Sequence, residues 1–288
     1  MHTKKILVTG ANGQLGQCLQ EISSVYPQYD FVFADRTLMP LDKQAQMAEY
    51  INDIQPDIII NTAAYTAVDK AESEPELAFA VNADAVGFLG ELTAQKNIKL
   101  IHISTDYVFN GEGVTPYLEN HSTAPINIYG ASKLKGEQLL LAANPEACII
   151  RTSWVYSQYG NNFVKTMLRL LNSRESINVV NDQVGSPTNA MDLANAIMTI
   201  AGQEDISGIY HFANTGVISW YDFAKTIGRE IKSACVVNAI PSKDYPTPAR
   251  RPYYSVMDTS KISLKLKTEI PDWLSSLKKT LDLLQHTG

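Results

Sequence analysis

Cysteine is scarce in this 288-residue chain: Cys18, Cys148 and Cys235 stand far apart, with no CxxC spacing. An odd, scattered set supports neither a disulfide framework nor a zinc site, so a reducing compartment and no metal site are expected. Charge is thin as well. Charged residues make up 19%, with 24 Lys plus Arg against 30 Asp plus Glu and a net charge of −6. No cationic excess is left to hold a nucleic-acid backbone or an anionic membrane. Near the N-terminus the only apolar run is Ile6-Leu7-Val8, far short of a signal-peptide core or a membrane span. A soluble, cytoplasmic protein with no nucleic-acid or membrane partner is therefore expected. Low-complexity tracts, charge blocks and internal repeats are lacking too, so nothing marks a flexible boundary between independent domains. What the chain does have is 45% hydrophobic residues, enough at this length for a sizeable core.

Short β-branched runs recur at Ile6 to Thr9, Phe31 to Ala34, Ile58 to Ile60, Leu100 to Ser104 and Cys148 to Thr152. Strands buried on both faces have this composition. Helix signals fill the intervals, notably Pro75 opening a stretch to Gln95 in which Leu77, Ala80, Val81, Ala85, Phe88 and Leu92 repeat at three and four. Alternating strand and helix predicts an α/β fold: a doubly wound parallel Rossmann sheet with a smaller α/β substrate-binding part toward the C-terminus. Residues 1–155, with returning segments near 190–215, are assigned to the dinucleotide-binding domain, and roughly 156–189 and 216–288 to the substrate-binding part. Two irregular stretches, Tyr107 to Asn127 and Pro241 to Pro252, are long enough to suggest functional loops.

Gly10-Ala11-Asn12-Gly13-Gln14-Leu15-Gly16 follows the first strand directly and leads into a helical pattern. Glycines there permit a tight strand-to-helix turn, so that backbone N–H groups and the helix N-terminus can approach a pyrophosphate. The spacing is GxxGxxG, whereas the general dinucleotide fingerprint is GxGxxG, and a purely structural turn is the alternative. Asp35 closes the second strand, where a carboxylate can meet the adenosine ribose hydroxyls; the alternative for it is a helix cap. Arg36 suits a 2′-phosphate instead, so the two neighbours pull in opposite directions and both NADPH and NADH are expected to be usable.

Thr105-Asp106 ends the fourth strand, at the edge where open α/β sheets bind ligands. Tyr129-Gly130-Ala131-Ser132-Lys133 sets a tyrosine and a lysine four apart, on one helix face. A free phenol titrates near pH ~10, and a cation beside it would bring it toward the working range. In this reading Tyr129 is the acid, Lys133 the cation and Thr105 a hydrogen-bond partner of the substrate oxygen. YxxxK alone is common by chance; its weight comes from following a glycine turn and a strand that ends in a hydroxyl. Trp154 is open between a core aromatic and a ligand contact. Asn161, Asn162, Arg250 and Arg251 are open between a solvated loop and donors to a diphosphate. Asp69, Lys70 and Glu72 fit a surface ion-paired helix start, and His102 and His211 fit hydrogen-bonded core histidines.

The chain resembles the extended short-chain dehydrogenase/reductase family, and within it the branch acting on dTDP-4-dehydro-β-L-rhamnose. The resemblance extends over nearly the whole sequence: Gly10 to Gly16, Asn61-Thr62-Ala63-Ala64-Tyr65-Thr66-Ala67-Val68-Asp69-Lys70-Ala71-Glu72, Ser104 to Phe109, Tyr129 to Lys133, Arg151 to Tyr156, Gly160 to Phe163, Asn181 to Gln183, and Pro246-Thr247-Pro248-Ala249-Arg250-Arg251-Pro252. It implies NADPH- or NADH-dependent reduction of a 4-keto group to give dTDP-L-rhamnose, with Tyr129 delivering the proton, Lys133 orienting the nicotinamide ribose and Thr105 polarising the oxygen. The cofactor residues it implies are Gly13, Gln14 and Leu15 at the pyrophosphate, Asp35 at the ribose, Ala64, Tyr65 and Thr66 near the third strand, and Asp42 on the adenine side. With the residues singled out above, the expected cofactor set also includes Gly10, Asn12, Gly16, Arg36 and Ala63. The implied contacts to the dTDP-sugar substrate are Thr105, Asp106 and Trp154, with Asn162 and Arg250 added for the diphosphate.

Some members of that family form a dimer bridged by magnesium on glutamates. Cys18 and Met191 stand at the matching places here, and neither supplies the oxygen ligand that a hard cation needs. A monomer, or a dimer without bridging magnesium, is expected. Tyr253-Tyr254-Ser255 also departs from the pattern, which usually has an asparagine before the serine. Two other functions share the fold: a different sugar-nucleotide reductase or epimerase, and a non-catalytic NADP-binding regulatory subunit like the β subunit of methionine adenosyltransferase.

Overall fold

The structure is a computed structural model describing residues 3–286. The β-branched runs become β1 (Lys4–Thr9), β2 (Tyr29–Ala34), β3 (Ile58–Asn61), β4 (Lys99–Thr105) and β5 (Cys148–Thr152). After β6 (Ser176–Val180), which stands outside the sheet, β7 (Gly208–Phe212) returns as its sixth strand. The order is β2-β1-β3-β4-β5-β7, and every pairing is parallel. The winding reverses between β1 and β3, which opens a crevice at their C-terminal ends.

Period-two alternation sorts the side chains to two faces. Ile6, Val8, Ile58, Ile60 and Ile150 pack with α1 (Gln14–Ser23), α6 (Ala190–Ala201) and α8 (Ser260–Leu266). Leu7, Ile59, Leu100 and Ile149 pack on the other face with α2 (Gln44–Ile54) and α3 (Pro75–Lys96). Helix α8 lies in the stretch expected to belong to the smaller part, yet Ile262 and Leu266 join the first of these clusters. A third cluster holds the smaller part together: Val164, Met167, Phe223, Ile227, Leu277 and Leu281, from α5 (Phe163–Leu171), α7 (Trp220–Glu230) and α9 (Trp273–His286). Beside it, β6 pairs in parallel with β8 (Val236–Ile240).

The stretch opened by Pro75 is helical throughout, but not uniformly α. A π-turn at Ala80–Asp84 interrupts it. By length and composition α3 is apolar enough to cross a membrane, and half of its apolar window is buried inside the fold, as in a core helix. Its partner is α4 (Ile128–Ala143), which carries Tyr129 and Lys133 and is capped by Asn127, whose side chain accepts from the Gly130 N–H at 2.7 Å.

Candidate active site

A cavity of about 800 Å³ opens along the crevice, with the glycine turn at one end and Thr105, Asp106, Tyr129, Lys133 and Trp154 at the other. At the first end Gly10 has φ +67°, and a Cβ there would lie 2.8 Å from the Ala63 nitrogen. Only glycine permits both the backbone conformation and that approach. Gly13 is the N-cap of α1 and provides no side-chain cap, and Gly13, Gln14 and Leu15 line this end of the cavity, where the open N–H groups of a helix start suit an anion.

Asn12, Gln14 and Leu15 line the cavity with Gly10 and Gly13, but Gly16 does not. A Cβ on Gly16 would run into the Gly10 carbonyl and Ala11, so its role is close packing of helix on turn, not contact with a ligand. Ala63, Ala64, Tyr65 and Thr66 form the wall after β3, and Asp35, Arg36 and Asp42 the wall after β2. The Asp35 carboxylate accepts from Thr37 N–H and Oγ1, from Leu38 N–H, and from Asn12 Nδ2 at 3.1 Å. These donors, Thr37 foremost, lower its pKa, leaving a fixed anionic acceptor suited to ribose hydroxyls. Arg36 is exposed, with only a 4.0 Å contact to Asp42.

At the other end Tyr129 stands edge-on to Tyr107, with ring centroids 5.6 Å apart. Burial pushes its phenol up to about 12; Thr105 pulls the other way and the Asp106 charge adds to the rise. The sequence suggested that Lys133 would bring this phenol down. It does not, because Lys133 is turned into the protein: its ammonium donates to the Ile103 carbonyl at 2.7 Å and lies 3.3 Å from His102 Nε2. Burial pushes Lys133 itself down to about 8. His102 is the expected buried, hydrogen-bonded histidine, but its partner is a site residue, a link that composition and spacing did not reveal.

Thr105 Oγ1 donates to Asp106 Oδ1 at 3.0 Å and accepts from the Tyr107 N–H at 3.2 Å. Asp106 is 2% exposed, its Oδ2 has no partner, and desolvation pushes its carboxyl up to about 6. Trp154 lines the cavity and also packs against the third apolar cluster. Its φ is +49°, and its indole stacks on Trp220 at a centroid distance of 3.6 Å. A Cβ on Gly185 would lie 2.8 Å from that indole, so this glycine makes room for the tryptophan.

Other expectations change. Asn162 caps α5 and donates to Gln14 Oε1, Ser157 O and Tyr159 O; its side chain is consumed by structure, and its neighbours Gly160 and Asn161 line the cavity instead. Arg250 is exposed and off the cavity wall; only its backbone carbonyl is engaged, by Asn127 Nδ2 at 2.8 Å. Arg251 is committed to Asp69 in a two-bond fork at 2.7 and 2.8 Å. Asp69 also accepts from the Ala249 N–H, and Glu72 accepts from the Ile128 N–H at the start of α4. Of the expected surface group, only Lys70 makes a local ion pair, with Glu74. Asn82, in the π-turn, was not foreseen: it accepts from the Tyr65 N–H and donates to the Tyr65 carbonyl and Ser132 Oγ.

Cys18 is fully buried between α1 and α6, where Met191 also packs. Burial raises the Cys18 thiol to about 12. Among the described residues there is no group of three or more His, Cys, Asp or Glu able to hold a metal ion.

Residues 4–286 match the model of the RmlD substrate binding domain family. The dTDP-4-dehydrorhamnose reductase of Sinorhizobium fredii (strain NGR234) is 44% identical over 298 aligned positions, covering 99% of each chain. That of Escherichia coli K12 is 45% identical over 251, covering 84% of each. Among solved structures, the Bacillus anthracis dTDP-4-dehydrorhamnose reductase in complex with NADP superposes with a TM-score of 0.94 at 40% identity, covering 98% of this chain and 100% of that one. With the likeness running nearly end to end in both sequence and fold, the chain belongs to the dTDP-4-dehydrorhamnose reductase family.

Proposed function

We propose that this protein reduces the 4-keto group of dTDP-4-dehydro-β-L-rhamnose to give dTDP-L-rhamnose, the final step of dTDP-rhamnose synthesis, using NADPH or NADH. The observation that carries this reading is the single continuous cavity: a glycine turn and helix N-terminus at one end, and a tyrosine, a lysine and a hydroxyl at the other. The residues present fit a dinucleotide, since the Gly10–Ala63 approach leaves room for nothing larger than hydrogen and the Asp35 acceptor is fixed. The cofactor supplies the hydride when bound. Tyr129 gives its proton to the substrate oxygen. A phenol raised to about 12 stays protonated through neutral pH, which suits the reductive direction, because the oxygen it serves becomes an alkoxide and a stronger base still. Thr105, its hydroxyl turning from Asp106 Oδ1 to donate, steadies that oxygen, and the unpartnered Asp106 Oδ2 suits a sugar hydroxyl as donor. Trp154 offers a flat apolar face to the sugar ring.

The test is NADPH oxidation with dTDP-4-dehydro-L-rhamnose. The wild type should turn over, and Tyr129→Phe should lose about 10²- to 10⁴-fold in kcat. Normal turnover by the variant would remove Tyr129 as proton donor; no turnover by the wild type, with verified substrate, would favour an NADP-binding regulatory role. A magnesium-bridged dimer is not expected, given Cys18 and Met191 in an apolar seam. Gel filtration should be indifferent to a chelator, and dissociation of a dimer on its addition would contradict this.

A further inference from the structure

Three buried polar side chains stand in one row across β1, β3 and β4. Thr9 on β1, Asn61 on β3 and His102 on β4 are direct cross-strand partners in register, and none is more than 1% exposed. Thr9 Oγ1 lies 2.6 Å from one end of the Asn61 amide, and the other end lies 3.0 Å from His102 Nδ1. His102 Nε2 reaches Lys133 Nζ at 3.3 Å. At the far end Thr9 Oγ1 accepts from the Ala63 N–H at 3.3 Å, on the cavity wall. In-register residues of neighbouring parallel strands share a face, which makes the row; burying it is costly unless its donors meet acceptors.

Donor arithmetic decides the state of this row. Burial, with Lys133 alongside, keeps the His102 pKa well below its ordinary value, so the ring is neutral, with one donor and one acceptor nitrogen. Lys133, pushed down to about 8, is still largely an ammonium at neutral pH and has donors only. The ring nitrogen facing it must therefore accept, and the single ring proton sits on Nδ1. In the structure the Asn61 oxygen faces Thr9 Oγ1 and its nitrogen faces His102 Nδ1; an Nδ1–H ring requires the amide turned end for end, an exchange of two ends of nearly identical shape, so that its oxygen accepts from Nδ1 and its N–H donates to Thr9 Oγ1, which also accepts from Ala63.

We propose that His102 is a positioning residue for Lys133: its Nε2 takes one of the three ammonium N–H bonds, which fixes the ring as the Nδ1–H tautomer, and the Asn61 amide, turned end for end, takes the ring proton. The Ile103 carbonyl takes a second, leaving the third for the cavity that Lys133 lines. In the role that the family resemblance implies for Lys133, one free donor on an otherwise immobile cation is an orienting device for the cofactor ribose. This inference rests on the reductase reading for its consequence in catalysis, but not for its test.

The first measurement is the ring ¹⁵N spectrum of the full chain labelled at histidine, at about pH 6.5, below the Lys133 titration. The His102 signal among the five histidines is identified by its loss in His102→Gln. An Nδ1–H pattern is expected; an Nε2–H pattern would overturn the proposal, because it would aim an N–H at an ammonium. The second uses His102→Leu, shown to be folded by its melting curve. NADPH binding, followed by fluorescence, should weaken, and kcat should fall about 10- to 100-fold with the sugar-nucleotide KM nearly unchanged. His102→Gln, whose side-chain oxygen can stand where Nε2 stood, should recover much of both. Wild-type cofactor affinity and kcat in a folded Leu variant would overturn the positioning role, and if that variant does not fold, the spectrum and the Gln variant decide. The spectrum requires no substrate, so a chain that fails to turn over counts against the reductase reading alone.

Discussion

Asp106 is an unusual expense at the residue scale: a carboxylate 2% exposed, one oxygen bonded to Thr105 and the other to nothing. Its pKa is raised from 3.8 to about 6, so the folded protein holds the proton more tightly than the unfolded chain. The penalty on folding is absent below pH 3.8, grows between there and 6, and is complete above. Replacing the charge should therefore stabilise. Asp106→Asn is expected to gain about 1–3 kcal/mol at pH 7, most of it vanishing near pH 4, while the sugar-nucleotide KM rises because a charged acceptor is lost. Melting curves at the two pH values and a substrate titration check this; an equal gain at both would show that desolvation of the carboxylate is not its origin. Residues of this kind were legible in part. Tyr129, Lys133, Thr105, Asp106 and Trp154 all line the cavity, because strand ends and i,i+4 helix spacing are local properties. Asn162 and Arg250 were not legible, since whether a polar side chain faces a ligand or its own fold depends on distant neighbours such as Gln14 and Asn127.

At the scale of elements, the helix after Pro75 shows how far periodicity reaches. Apolar spacing at three and four marks the whole stretch as helical, and it is, but the extra residue at Ala80–Asp84 leaves no trace in that spacing. Its causes are tertiary. A Cβ on Gly136 of α4 would strike the Asn82 carbonyl, so the two helices touch through backbone there, and the Asn82 side chain leaves its helix to clamp Tyr65 and Ser132. A π-turn is a recurrent way to aim one side chain out of a helix at a functional site. Asn82→Ala should leave the Tyr65 backbone and Ser132 short of partners inside the protein. The expected cost is about 2–4 kcal/mol of stability. The NAD(P)H KM should rise with it, because Tyr65 lies on the cavity wall, and the dTDP-sugar KM should change less. Denaturant unfolding and steady-state kinetics together test this, and a destabilised variant with an unchanged cofactor KM would detach the clamp from cofactor binding.

Across the whole molecule, two of the stretches that carry the family resemblance, Asn61 to Glu72 and Pro246 to Pro252, are two halves of one fastening. Asp69, from the stretch after β3, holds Arg251 by a two-bond fork and Ala249 by its N–H, although 182 positions separate Asp69 from Arg251. The same two stretches grip the start of α4, where Glu72 accepts from Ile128 N–H and the Arg250 carbonyl accepts from Asn127, next to Tyr129. The motifs themselves could be read from sequence, but not their pairing, because a bond of that span leaves no local pattern. Arg251, which is off the cavity wall, consequently holds the loop in place. Asp69 is 43% exposed, so screening limits what the pair adds to stability, and its value lies in registering the loop against the start of α4. Asp69→Ala and Arg251→Ala should each lower kcat/KM for the dTDP-sugar by about 3- to 10-fold, with little change in melting temperature. Because both remove the same fork, the double variant should be scarcely worse than either single one, giving a coupling energy of about 1 kcal/mol in a double-mutant cycle. Raised salt should weaken the wild type toward the variants, since a half-exposed ion pair is screened. Additive losses in the cycle would mean that Arg251 and Asp69 act on the substrate separately and that the fork does not carry the registration.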